Sequence, residues 1–269
     1  MRKICIINQK GGVAKTTTAV NLGVGLAKEG KKVLIIDLDA QGNVGTCLPA
    51  ESKKDLYDFL VENADIRECI SGVTENLDLI KSRETLAKAE LILVGESSRE
   101  MTLRRKLQNL AGYDYVLLDC PPSLGLLNQN AMLFATEALI PASTDILGID
   151  ALRKMRFIVD KINDVFGHSL TISKVVPTLY DVRNKVCNTV LKQMQSEFYE
   201  LVSDPIRVNA TLKEAPAEKK SIFDYAPNSR GAEDYRKLVK QVLRDEEKYV
   251  KLARSPASMR MQVKEAVIG

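Results

Sequence analysis

Ile4-Cys5-Ile6-Ile7-Asn8-Gln9-Lys10-Gly11-Gly12-Val13-Ala14-Lys15-Thr16-Thr17-Thr18 runs from an apolar stretch through two glycines into Lys-Thr-Thr. The apolar part reads as a buried parallel strand. Thr16–Lys28, with Ala19, Leu22, Val24, Leu26 and Ala27 along it, reads as a helix with an apolar face. The glycine turn therefore lies at a helix N-terminus, where unpaired N–H groups and the positive end of the helix dipole attract an anion. Gly11 and Gly12 let the backbone, with Val13, Ala14 and Thr17, close around phosphate oxygens. Lys15 reaches the β- and γ-phosphates, and the Thr16 hydroxyl is placed for Mg²⁺. The expected ligand is Mg-ATP or Mg-GTP.

Two further strand ends point to the same place. Val33-Leu34-Ile35-Ile36-Asp37-Leu38-Asp39-Ala40-Gln41-Gly42-Asn43 is a buried strand ending in two carboxylates and a glycine turn. Tyr113-Asp114-Tyr115-Val116-Leu117-Leu118-Asp119-Cys120-Pro121-Pro122-Ser123 is apolar up to Asp119 and then broken by Pro-Pro. Ligands of open α/β sheets bind beyond the carboxyl ends of the strands. Asp119 can hold Mg²⁺ there, through a water. A single aspartate at a strand end is more often an N-cap or a surface residue; three such ends in this order are not accidental.

The loop departs from G-x-x-x-x-G-K-[ST], because Gln9 and Ala14 stand where that pattern has glycine. Lys10-Gly11-Gly12-Val13-Ala14-Lys15-Thr16 instead resembles K-G-G-x-G-K-T, the deviant Walker A loop of the ParA/MinD ATPases. The resemblance, to the small ParA/Soj form of that superfamily, continues in D-x-D-x-Q-G-N at Asp37–Asn43 and D-x-P-P-S at Asp119–Ser123. It implies that Lys10 crosses a dimer interface to the partner's nucleotide, and that catalysis rests on Lys10, Lys15 and Asp39. It also implies that Asp39 orients or activates the attacking water and joins Thr16 and Asp119 in holding the metal, with Asp37 near by. Pro121-Pro122-Ser123 becomes a γ-phosphate-sensing switch, and the cofactors ATP and Mg²⁺. Ala14 replaces the family's glycine. If this position needs a positive φ, its Cβ costs about 1–2 kcal/mol; at a negative φ it costs little.

With 269 residues, 45% of them hydrophobic, and no low-complexity tract, the chain can bury the core of one α/β domain. Strand-like runs at Leu77–Ile80, Ala138–Pro141 and Thr171–Pro177 alternate with helical patterns at Met101–Leu110, Gly125–Ala135, Asp150–Phe166 and Lys185–Leu201. This predicts a mostly parallel twisted sheet with helices on both faces. Asp55–Val61 reads as a short helix. We expect residues 1–243 to form a single P-loop ATPase domain and 244–269 a helical or loosely ordered extension.

Cys5, Cys47, Cys69, Cys120 and Cys187 show no C-x-x-C spacing and follow no signal peptide, so they read as reduced thiols. No apolar run is long enough to span a bilayer, and a cytoplasmic protein is expected. The first strand opens the chain, so no helix-turn-helix is expected before it. MinD, by the resemblance, carries a C-terminal amphipathic membrane helix. Here Ser255-Pro256 interrupts the tail, and Met259, Met261, Val263, Val267 and Ile268 share no wide apolar face, so no membrane tether is expected.

A net charge of +4 by itself says nothing about nucleic acid. Basic residues gather after Thr178, and Arg183, Lys185, Arg207, Lys213, Lys219, Lys220 and Arg230 are candidates for DNA phosphates. No aromatic residues interleave with them for base stacking, which favours salt-sensitive contacts to duplex DNA. The alternative is a solvated face balanced by Glu197, Glu200, Glu214, Glu218, Glu233 and Asp234. Leu179-Tyr180-Asp181-x-Arg183, Pro205–Asn209 and Leu212–Pro216 also resemble ParA, which implies Asn209 beside the adenine and ATP over GTP.

The resemblance thus implies an ATP-dependent switch for plasmid or chromosome partition. The Mg-ATP homodimer binds non-specific double-stranded DNA on the nucleoid, and slow hydrolysis, stimulated by a ParB-like centromere-binding protein, releases it. The alternative is a MinD-like or orphan positioning ATPase acting on membrane or protein cargo.

Overall fold

Alternation within short apolar runs decides which side of the sheet each residue serves. In the first strand Ile4 and Ile6 join one buried cluster, Cys5 and Ile7 the other; in the second, Val33 and Ile35 divide from Leu34 and Ile36 in the same way. Burial on both faces is what makes these strands read as unbroken apolar runs.

The computed structural model describes residues 1–246. Its strands are β1 (Arg2–Ile6), β2 (Val33–Asp37), β3 (Ile70–Thr74), β4 (Leu77–Ile80), β5 (Tyr115–Asp119), β6 (Glu137–Ser143) and β7 (Thr171–Thr178). They form one seven-stranded sheet in the order β3-β4-β2-β5-β1-β6-β7. All neighbours are parallel except β3 and β4.

One face carries α1 (Lys15–Lys28) and α2 (Asn43–Cys47). The other carries α3 (Leu56–Leu60), α4 (Ile66–Cys69), α5 (Leu86–Leu93), α6 (Thr102–Lys106), α7 (Leu126–Phe134), α8 (Ile146–Phe166) and α9 (Lys185–Phe198). The chain then returns to the first face with α10 (Thr211–Glu214), α11 (Ile222–Tyr225) and α12 (Arg230–Arg244). The expected mostly parallel α/β sheet is present.

Several boundaries differ from the sequence reading. The expected helix at Met101–Leu110 is a 3₁₀ turn, Arg99–Met101, followed by the short α6, because the chain must turn after Leu107 to enter β5. The helix expected from Asp150 begins at Ile146, since the Asp145 carboxylate caps it by accepting from the Gly148 N–H at 2.8 Å. The helix expected over Lys185–Leu201 ends at Phe198 and finishes as a 3₁₀ turn. The extension expected at 244–269 lies, beyond Glu246, outside the described residues.

α12 braces the helix that follows β1. Gly25 of α1 leaves no room for a Cβ against Val239, so the two helices touch closely there. The Tyr235 hydroxyl lies 3.2 Å from that of Thr18, joining the same pair. At the far end of α12, Arg2 donates to the Val242 carbonyl at 2.6 Å and, through Nε and Nη2, to both oxygens of Glu137. Arg2 and Glu137 are almost completely buried. Lys174 with Asp245 and Lys31 with Glu246 add ion pairs beside them. A buried guanidinium–carboxylate fork tolerates loss of both charges far better than loss of one. Arg2→Met should therefore cost about 3–5 kcal/mol in urea unfolding, and Arg2→Met combined with Glu137→Leu should recover most of it.

Candidate nucleotide site

Parallel register sets the ends of β1, β5 and β2 level, pairing Ile6 with Asp119 and Asp119 with Asp37. The loop of residues 8–14 rises from β1 beside them. Asn8, fully buried, anchors its start: its amide donates to the Pro141 carbonyl at 2.8 Å, and its side-chain oxygen accepts from the Lys10 N–H at 3.0 Å. Gly12 and Ala14 both adopt left-handed backbone, at φ 71° and 66°. Such turns direct successive N–H groups toward one concavity, an arrangement that binds anions. Among the described residues nothing comes within 4 Å of a Cβ built at Gly11 or Gly12, so the loop rim is open. Ala14 thus holds the positive φ in which its Cβ costs about 1–2 kcal/mol.

Lys15 opens α1 and is only 8% exposed. Burial pulls its ammonium pKa down, against the opposing pull of Asp119, Cys120 and Asp39. Its amino group lies 3.5 Å from the Lys10 carbonyl, inside the loop. Thr16 donates its hydroxyl to Asp119 Oδ2 at 2.7 Å. The other oxygen, Asp119 Oδ1, is buried with no hydrogen-bond partner among the described residues. Burial pushes the Asp119 carboxyl up to about 7, against the Thr16 hydrogen bond and Lys15.

An orphaned, desolvated carboxylate oxygen beside a threonine hydroxyl fits a hard divalent cation. Among the described residues no cluster of three or more His, Cys, Asp or Glu could enclose a metal alone. Such an ion would complete its shell with phosphate oxygens and water, as Mg²⁺ prefers.

The second strand end separates the roles of its two aspartates. Asp37 is buried and accepts from the Asp39 N–H at 3.0 Å and the Val44 N–H at 3.1 Å, so both of its oxygens organise the turn. Burial, then Asp119, raises its pKa. Asp39 is half-buried, with Oδ1 accepting from the Gln41 N–H at 3.0 Å and its carbonyl from Ser82 Oγ. Of the two, Asp39 is the one that solvent reaches.

Lys10 is closed onto its own chain. Its ammonium donates to Asp145 at 2.6 and 2.8 Å and to Ser143 Oγ at 2.8 Å. Asp145 is pushed up by burial, but the hydrogen bonds from Lys10, Ser143 and the Gly148 N–H outweigh this and hold it below the usual carboxylate range. The Pro121 side of the following loop is buried, while Pro122, Ser123 and Leu124 are exposed.

Residues expected farther along the chain divide. The strand-like segment around Arg207 pairs with Tyr180, two residues after Thr178, whose hydroxyl donates to the Val13 carbonyl. Asn209 follows this segment, its side-chain oxygen engaged by Thr211. Arg207 is not a free phosphate contact. Its guanidinium grips Asp234 at 2.6–3.1 Å and Glu233 at 2.7 Å in a structural fork. Arg183 is exposed but paired with Asp181 at 2.9 Å. Lys213, Lys219, Lys220 and Arg230 lie exposed on the α10–α12 side, where Leu212 packs on Gly231, whereas Lys185 opens α9 on the other helical layer.

Ser143 and Asp145, which hold Lys10, were not singled out from the sequence. Asp145 had a usable signal, a carboxylate just past the end of a predicted strand; Ser143 had none.

The chain is similar to several known proteins. A family profile described as AAA domain matches residues 1–172. The sporulation initiation inhibitor protein Soj of Bacillus subtilis is 41% identical over 245 residues, covering 89% of this chain and 97% of that protein. The chromosome-partitioning ATPase Soj of Treponema pallidum is 35% identical, covering 90% and 97%. Cobyrinic acid a,c-diamide synthase from Mycobacterium smegmatis, solved with a bound ATP analog and magnesium, matches with a TM-score of 0.79 at 29% identity, covering 92% and 96%.

Because Ala14 holds a left-handed backbone, Ala14→Gly should raise the stability of the nucleotide-free protein by up to about 1 kcal/mol, the relief of the Cβ exceeding glycine's added unfolded-state freedom. Urea unfolding measures the difference.

Proposed function

Since the chain belongs to the ParA/Soj family of P-loop ATPases, we propose that it is a partition ATPase, with residues 1–243 as its catalytic domain and a Mg-ATP-dependent homodimer as its active form. The observation that carries this reading is the convergence of a left-handed phosphate loop, buried Lys15 and the Thr16–Asp119 pair at level strand ends. Loop N–H groups of residues 11–17 and Lys15 bind the phosphates through charge-assisted hydrogen bonds. Thr16 and Asp119 would hold Mg²⁺, directly or through water and with Asp39 near by; such an ion would supply positive charge to offset that of the phosphates. Asp39 orients the attacking water, and Pro121 borders the γ-phosphate. Asn209 lies toward the base.

Lys10 leaves Asp145 and meets the nucleotide of the second subunit, so the site is complete only in the dimer. Electrostatic stabilisation by two lysines then carries phosphoryl transfer. No strong general base accompanies Asp39 in this reading, which makes turnover slow until a ParB-like partner accelerates it. The dimer binds double-stranded DNA non-specifically through exposed cations, of which Lys213, Lys219, Lys220 and Arg230 are the best placed. The protein acts in the cytoplasm on the nucleoid. Among the described residues no helix is long and apolar enough to cross a membrane.

The deciding experiment is binding to duplex DNA of arbitrary sequence with ADP, ATP or a non-hydrolysable analogue. Binding that requires the triphosphate and weakens steeply with salt is expected; no binding in any state would overturn the DNA reading.

Lys15→Ala should weaken ATP binding roughly ten- to a hundredfold, the scale of one or two charge-assisted hydrogen bonds. Normal binding by that variant would refute the loop assignment. Asp39→Ala should bind ATP and accumulate as a dimer without hydrolysing it, seen by light scattering and phosphate release. Asp145→Asn keeps the α8 cap but loses the Lys10 ion pair. It should dimerise with the analogue at a protein concentration about fivefold lower, the scale of a half-exposed pair.

A further inference from the structure

The loop of residues 121–125, which follows Asp119, and the start of α7 beyond it are held by two polar side chains that the proposed nucleotide chemistry does not use. From α7, Asn128 donates its amide to the Pro121 carbonyl at 3.0 Å and to the Ser123 carbonyl. From α5, Glu90 Oε1 accepts from the Leu127 N–H at 3.0 Å. Gly125 occupies the N-cap of α7 and supplies no side-chain cap. Glu90 therefore fills that role from another helix, placing a carboxylate at the positive end of α7.

Gly125 has an ordinary φ of −69°, so its backbone does not call for glycine. Space does. A Cβ built there collides with the Glu90 carboxylate, whose Cδ and Oε2 would both lie 2.9 Å away. The missing side chain at 125 and the carboxylate from position 90 fit one another across 35 residues of chain. Nothing in the proposed ATPase chemistry requires either.

We propose that Glu90 is a positioning residue for the nucleotide switch. Seated against Gly125, its carboxylate preorganises the 121–125 loop so that engaging a γ-phosphate costs little further ordering. This rests on the reading of that loop as the γ-phosphate sensor. Nucleotide without a γ-phosphate makes no use of the loop, so the effect of Glu90 is confined to the triphosphate.

The test compares binding of ADP and a non-hydrolysable ATP analogue, with Mg²⁺, to the full chain, together with hydrogen exchange of the 121–127 amides. Glu90→Ala should weaken the analogue about tenfold, the scale of re-ordering one residue's backbone, and leave ADP unchanged. Glu90→Gln keeps an acceptor oxygen and should bind as wild type. Gly125→Ala displaces the carboxylate and should imitate Glu90→Ala. The double variant Glu90→Ala with Gly125→Ala should be no worse than either single one, because the collision is gone.

Equal losses for ADP and the analogue, an unrescued Glu90→Gln, or additive single effects would overturn the proposal. A wild-type loop whose exchange is the same with ADP and the analogue would overturn the sensor reading, and this proposal with it. A wild-type loop that responds while Glu90→Ala responds equally would overturn the role of Glu90 alone.

Discussion

A carboxylate sealed from water at the end of a parallel strand is the constraint around which this protein is arranged. Asp119 and Asp37 face each other in register at the ends of β5 and β2, and both are fully buried. Their desolvation raises the free energy of the charged forms. Asp37 is answered by two backbone N–H groups and Asp119 by the Thr16 hydroxyl and the nearby Lys15, yet one oxygen of Asp119 has no partner among the described residues. Lys15 is itself deprived of solvent. Neither charge is stable alone in such a place; a polyanion and a divalent cation complete both.

The same constraint explains why so much of the molecule braces α1. The helix must present its first turn at a fixed height beside Asp119, and the loop before it holds Ala14 in a conformation that disfavours any Cβ. α12 meets this cost by close packing at Gly25 and by the Thr18–Tyr235 contact, and is itself pinned to the opposite end of the sheet by Arg2. Asp145 does two things at once: it caps α8 and holds Lys10. The lysine that distinguishes this loop from an ordinary phosphate loop therefore has a resting partner within its own chain.

Legibility followed the range of the interactions. The three strand ends, the loop and the helix beginning at Lys15 are local: an apolar run, a glycine turn and a polar residue within a dozen positions specify them. β4 was bounded correctly for the same reason. β3 was not read, because Ile70–Thr74 is a short antiparallel edge strand with mixed burial that lacks a continuous apolar run. α5 was missed because only Leu86, Ala89 and Leu93 of its eight residues are buried, while Leu91 and Ile92 face outward and blur the period. Arg207 looked like a free cation because nothing local announces that Asp234, 27 residues on, will meet it.

The sequence by itself determined the chemistry of the nucleotide end: which residues bear charge, hydroxyl or glycine at the exits of the buried strands. Tertiary structure alone decided which of those groups meet. Lys10 and Asp145 are separated by 135 positions, Thr16 and Asp119 by 103 and Glu90 and Leu127 by 37. The first two pairings depend on strand order and register, because a strand that slips by one residue turns every side chain to the opposite face; the third depends on how α5 packs beside α7. Local propensity acts within a few residues, whereas the alignment of β1, β5 and β2 is set by the packing of the two buried layers on either side of the sheet.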